Sequence, residues 1–121
     1  MATIKSYSDV QQSKKLAEIL PLESADMAYY QWKDDSHLMS PVPFVLDGME
    51  EKEDGVFEYI PCWSLAALLS ILPTPDLVQN SEGTWLVRSW VDSYPWSVGG
   101  YSNPVDACVA MIEKLHKLSL L

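Results

Sequence analysis

The residues best suited to do chemistry in this chain are two cysteines, Cys62 and Cys108, and two histidines, His37 and His116. A catalytic thiol needs a base within hydrogen-bond reach, and the nearest pairing in sequence is Cys108 with His116. Eight residues along a helix span about 12 Å, too far for proton transfer. Two widely separated cysteines also supply neither a disulfide framework nor the close-paired ligands of a zinc site. Both are therefore expected to be reduced and buried, behaving as small hydrophobes in apolar helical stretches. No nucleophile elbow, phosphate-cradling glycine loop or histidine pair at ligand spacing is present, and Gly99-Gly100 marks a turn or a bulge. The expectation is a protein that is not an enzyme and carries no metal or cofactor.

Acidic side chains are the second candidate. Asp47, Glu50, Glu51, Glu53, Asp54 and Glu58 form the densest run, interrupted by Lys52, but their spacing does not match a helix-loop-helix calcium loop. Mutual repulsion makes this a solvated loop. The charge is asymmetric: 5 lysines against 12 acids in the first 60 residues, 3 basic against 5 acidic in the rest. With a net charge of -9, direct binding to nucleic acid or to an anionic membrane is not expected, because either needs cations to neutralise phosphates. No apolar run reaches the roughly 20 residues of a bilayer span, and MATIKSYSDVQQSKK lacks the apolar core of a secretory signal. A cytoplasmic protein is the expectation.

Aromatic residues are the third. In TWLVRSWV, alternation puts Trp85, Val87 and Val91 on one face and Leu86, Arg88 and Trp90 on the other. One reading is cross-strand packing under helices. The other is an exposed platform of Trp90, Tyr94, Trp96 and Tyr101, with Arg88, for a peptide, a partner protein or a second copy, since these residue types anchor interfaces.

The elements that must position these groups follow from periodicity and stop signals. At 121 residues the chain suits one domain, residues 1–121. Ser8 precedes a first helix, DVQQSKKLAEIL, stopped by Pro21. MAYYQWK, 27–33, reads as a strand. Residues 34–55 hold Pro41, Pro43, Asp47-Gly48 and Asp54-Gly55, and read as a mobile acidic loop ending in a short strand, VFEYI. A second helix follows as PCWSLAALLSIL with Pro61 near its start and Pro73 at its stop. Strands at 77–79, 84–91 and 96–101 come next, the first two joined at Asn80-Ser81-Glu82-Gly83. The last helix starts at Asn103, with Pro104 at its first position and Asp106 in its first turn. The likeness of LAEILP and LLSILP reflects how often proline stops leucine-rich helices, because it does not extend at a fixed period. The architecture expected is α+β: one antiparallel sheet of three to four strands with three helices, in the order α-β-(β)-α-β-β-β-α.

SKKLAEILPLESADM (13–27), YIPCWSLAALLSILP (59–73) and NPVDACVAMIEKLHKLSLL (103–121), most specifically NPVDACV and CWSLAALL, resemble a family of small uncharacterised proteins from gut Bacteroides-type bacteria, their conjugative elements and tailed phages. The resemblance implies an accessory protein of a mobile element or phage and carries no site residue. The functional expectation is a non-catalytic protein-interaction module, with a small-molecule or peptide-binding domain as the alternative.

Overall fold

The structure, a computed structural model, describes residues 5–34, 37–46 and 57–121. Among these residues three α-helices and six strands follow in the order α1 (Val10–Ile19), β1 (Met27–Trp32), β2 (Phe44–Val45), β3 (Phe57–Cys62), α2 (Leu65–Ile71), β4 (Pro75–Gln79), β5 (Trp85–Val91), β6 (Tyr94–Tyr101) and α3 (Pro104–Lys117). The fold is the expected single α+β domain. Its strands, however, form two antiparallel three-stranded sheets, ordered β2-β1-β3 and β4-β5-β6. The split has a local cause. At the end of β3 the partner is the N-terminal segment: Tyr7 bridges Ser64, Ser8 N–H donates to the Trp63 carbonyl at 2.9 Å, and Leu65 N–H donates to the Ser6 carbonyl at 2.9 Å. The chain then turns into α2, so the next strands pair with their own sequence neighbours.

Helix boundaries follow their caps. Asp9 begins α1 by accepting from Gln12 N–H at 2.8 Å, while the Gln12 side chain accepts from Asp9 N–H at 3.1 Å. This reciprocal box satisfies two otherwise free amides. Ser8, the expected start, is instead buried. α3 starts as expected, with the Asn103 side chain accepting from Asp106 N–H at 2.9 Å and Pro104 in the first turn. α2 is shorter than expected. Ser64 caps it, accepting from Ala67 N–H at 3.1 Å, and Pro61 and Cys62 belong to β3. Pro61 lies opposite Ala28, on an edge strand where a missing N–H is tolerated.

The second sheet is a meander with well-defined turns. Gly83 N–H donates to the Asn80 carbonyl at 3.0 Å, Asn80 N–H donates to the Thr84 carbonyl at 2.9 Å, and Gly83 takes φ +85°. That is a type I turn closed by a glycine bulge. β5 and β6 are joined by Asp92 and Ser93 at φ 50° and 67°, the left-handed pair of a tight hairpin. Gly99-Gly100 is a bulge: Val98 pairs with Val87 and Tyr101 with Trp85, so two residues oppose Leu86, and Gly100 sits at φ +83°.

The main core lies between α1, α2, α3 and one face of the second sheet. Leu16, Leu20, Trp63, Leu68, Leu72, Val87, Val105, Val109, Met111, Ile112 and Leu115 are buried there, while Ile19, Leu65 and Leu69 are half-buried. A smaller cluster, Tyr29, Ile60 and Cys62, sits between the first sheet and α1 with Tyr7, Val10 and Met27. Within residues 34–55, Phe44–Val45 pair with β1 and Leu38 bridges Gln31, so part of the expected loop is sheet. β3 extends the short strand foreseen at its end. The acids Asp47, Glu50, Glu51, Glu53 and Asp54, with the start of that strand at Val56, lie outside the described residues.

Candidate functional site

The thiols are held apart and out of reach. Cys62 ends β3 in the smaller cluster, and Cys108 lies in α3 in the main core; both are fully buried. Burial raises the Cys62 thiol, against hydrogen bonds from Ser8, Ser13 and Tyr29, and pushes Cys108 up to about 12. Neither is a nucleophile near neutral pH. Around Cys62 the structure builds a closed polar knot that sequence reading missed. Ser8 Oγ is hydrogen-bonded to Ser13 Oγ at 2.8 Å and accepts from Trp63 N–H at 3.1 Å, while Tyr29 Oη donates to the Ser8 carbonyl at 2.9 Å. The knot satisfies buried groups where helix, N-terminal segment and strand meet. Tyr29 is raised by its own burial and by the neighbouring thiol. His37 and His116 are both exposed.

A second polar cluster ties the N-terminal segment to α3. Lys5 Nζ donates to Asp106 at 2.8 Å, Gln12 at 2.7 Å and Asp9 at 3.0 Å; Gln12 and Asn103 also donate to Asp106, at 2.7 and 2.8 Å. For Asp106, partial burial favours the neutral acid, but the bonds from Lys5, Gln12 and Asn103 outweigh it and hold the carboxyl below its ordinary value. For Lys5, burial is likewise outweighed by Asp106 and Asp9, and its value is raised. Every member of this cluster is occupied by another. Among the described residues, no group of three or more His, Cys, Asp and Glu side chains is placed to hold a metal ion.

The five residues expected to form one platform do not share a face. Register puts Arg88 and Trp90 opposite Ser97 and Pro95, on the side of the second sheet turned away from α3. Trp90 is 40% exposed there, and Arg88 pairs with Asp76 at 3.2 Å. Tyr94, Trp96 and Tyr101 lie on the other side with Val91, Ser89 and Trp85. Trp96 and Tyr101 are half-buried against the core, and the ring of Tyr94, 57% exposed, lies 4.7 Å from that of Trp96 at a tilt of 51°. Lys114 Nζ stands 5.7 Å over the Trp96 ring and donates to the Ser97 carbonyl at 3.1 Å. An open groove of about 510 Å³ runs between β6 and α3, lined by Trp96, Val98, Tyr101, Ala110, Lys114 and Lys117 among others.

The aromatic surface that does cohere is on the first sheet. Register aligns Ala28, Tyr30 and Trp32 of β1 with Pro61, Tyr59 and Phe57 of β3, and Phe44 of β2 with Ala28, all on the side opposite Tyr29, Ile60 and Cys62. Five rings meet there. Trp32 lies 4.2 Å from Phe57, and Tyr30 makes edge contacts with Phe44 at 5.7 Å and Tyr59 at 6.2 Å. Trp32 is 42% and Phe44 44% exposed. The aromatic richness of MAYYQWK carried the signal for β1, but the other rings come from strands whose register only long-range pairing sets. On the buried side of the same strands, Gln31 donates to Glu58.

No helix among the described residues is long and apolar enough to cross a membrane. Comparison with known proteins found no matching family model, no matching curated protein and no matching solved structure.

Proposed function

We propose that this chain is a non-catalytic protein-interaction module that works in the cytoplasm as an accessory protein of a mobile element or phage. Its docking surface is the aromatic face of the first sheet, and its partner is a protein presenting apolar side chains within a basic surround. The observation that carries this reading is the five-ring cluster of Tyr30, Trp32, Phe44, Phe57 and Tyr59, open to solvent at Trp32 and Phe44. Contiguous exposed aromatic surface of this kind marks interfaces rather than ordinary surface. The charge of -9, concentrated in the first 60 residues, selects a basic partner over an acidic one. The setting in a mobile element rests on the family resemblance.

The test compares wild-type protein with Trp32→Ala/Phe44→Ala and with Trp90→Ala as control. A captured partner should carry a basic surface, bind more weakly as salt rises, and lose about 30-fold or more in affinity to the double variant while keeping its affinity for the control. Equal binding by wild-type and double variant ends the proposal. A second reading, a small-molecule or peptide-binding domain, is favoured by the β6–α3 groove, where Trp96 and Tyr101 offer rings and Lys114 and Lys117 offer cations. A metabolite that raises the melting temperature of wild-type protein but not of Trp96→Ala would support it.

A further inference from the structure

We infer that the β4 edge of the second sheet pairs antiparallel with β4 of a second copy of this chain, joining two three-stranded sheets into one of six strands. The two edges of this sheet are built differently. β6 is closed to addition: Pro95 has no N–H, Lys114 occupies the Ser97 carbonyl, and the Gly99-Gly100 bulge bends the strand beyond. β4 also carries a proline, Pro75, but at its first residue, so Leu77 and Gln79 keep their N–H groups along the rest of the strand. The Asn80–Thr84 bond and the pairs Val78–Leu86 and Asp76–Arg88 fix the alternation, so residues 76 and 78 turn their backbone groups toward β5. Those of 75, 77 and 79 then point to the other side, where no strand among the described residues pairs.

This edge complements itself about a two-fold axis through Leu77. With Leu77 opposite the partner's Leu77, each Leu77 N–H meets the other's carbonyl. Each Gln79 N–H meets the carbonyl of the partner's Pro75, and proline at that position leaves no donor unpaired. Leu77 packs partly on the main core, so the apolar row continues across the axis. Charge also fits. Each Asp76 keeps its own Arg88 and lies opposite the partner's Val78 rather than opposite another acid. A pair of five-residue strands buries less than the roughly 1,200 Å² of a stable interface, and two copies each carrying -9 repel, so association is weak.

Sedimentation equilibrium of the full chain should show a reversible dimer with Kd of about 0.1 to 1 mM that tightens as salt rises. That salt response is opposite to the one expected for a basic partner on the first sheet, so the two proposals fail separately. Gln79→Pro removes an outward N–H without touching a bond to β5 and should weaken the dimer at least about tenfold. Val78 gives a test that does not depend on that variant folding. Val78→Lys, placed opposite the partner's Asp76, should tighten association by about 2- to 30-fold, and Val78→Glu should loosen it by a similar factor. A protein that stays monomeric at millimolar concentration overturns the inference. So does a Gln79→Pro variant that dimerises like wild type, or a Val78→Lys and Val78→Glu pair that shift association in the same direction.

Discussion

The two sheets use the same number of strands to opposite ends. In the second, consecutive strands joined by short turns lay Val87, Trp96 and Val98 against α3, and the main core forms on that face. In the first, β1 pairs with strands that follow it across longer connections; its buried face holds a small cluster closed by serine, cysteine and tyrosine, and its rings gather on the other side. Where pairing is local, the apolar face is spent on the core. Where pairing is long-range and the core behind it is small, aromatic residues remain at the surface, and that surface is where recognition is proposed.

The contrast can be broken or sharpened in order of effect. Ile112→Ala, in the core behind the second sheet, should cost about 2 to 5 kcal/mol in urea unfolding. A loss near zero would deny that core its role. Ser8→Ala, which unties the knot behind the first sheet, should cost about 1 to 3 kcal/mol, because Trp63 N–H and Ser13 Oγ lose a buried partner. Gly100→Ala should cost about 1 to 2 kcal/mol from backbone conformation alone, since nothing lies within 4 Å of the added methyl. Native-state hydrogen exchange should show the Val87 amide opening only with global unfolding and the Tyr30 amide through a less costly event. Equal protection would erase the difference between the sheets.

The smallest effect is in pH. Because the folded Asp106 value is depressed below the ordinary 3.8, its contribution is present above that value and is lost as pH falls through the lower folded one. Lys5 has the opposite sign: with its folded value raised above 10.5, its contribution is complete below that value and is lost as pH rises through the folded one. Asp106→Asn should flatten the acid limb of a stability-against-pH curve, and an unchanged limb would show that the Lys5–Asp106 cluster does not couple to folding.

What could be read in advance followed the same divide. Asn103, Pro104 and Asp106 act within one helical turn, and Asn80 to Gly83 act within one hairpin, so local chemistry alone locates them. Pro61 misleads because proline suits both a first helical turn and an edge strand; only the pairing with Ala28 and the Ser64 cap decide between them. Alternation correctly separated Trp90 from Trp85 and Val87, yet a strand pattern with apolar residues on both sides does not say which side meets a helix. Phe44 carried no signal at all. A two-residue strand is visible only through its partner, and the aromatic face depends on that partner.

The hairpin tip at Asp92-Ser93 reaches further than its size. Both residues hold left-handed backbone without glycine, and this two-residue connection sets how β5 and β6 align. One inserted residue there would slip β6 by a single position, turning Trp96 outward and bringing Pro95 and Ser97 under α3. The greasy underside of this sheet is thus keyed by a pair of polar residues that never touch it.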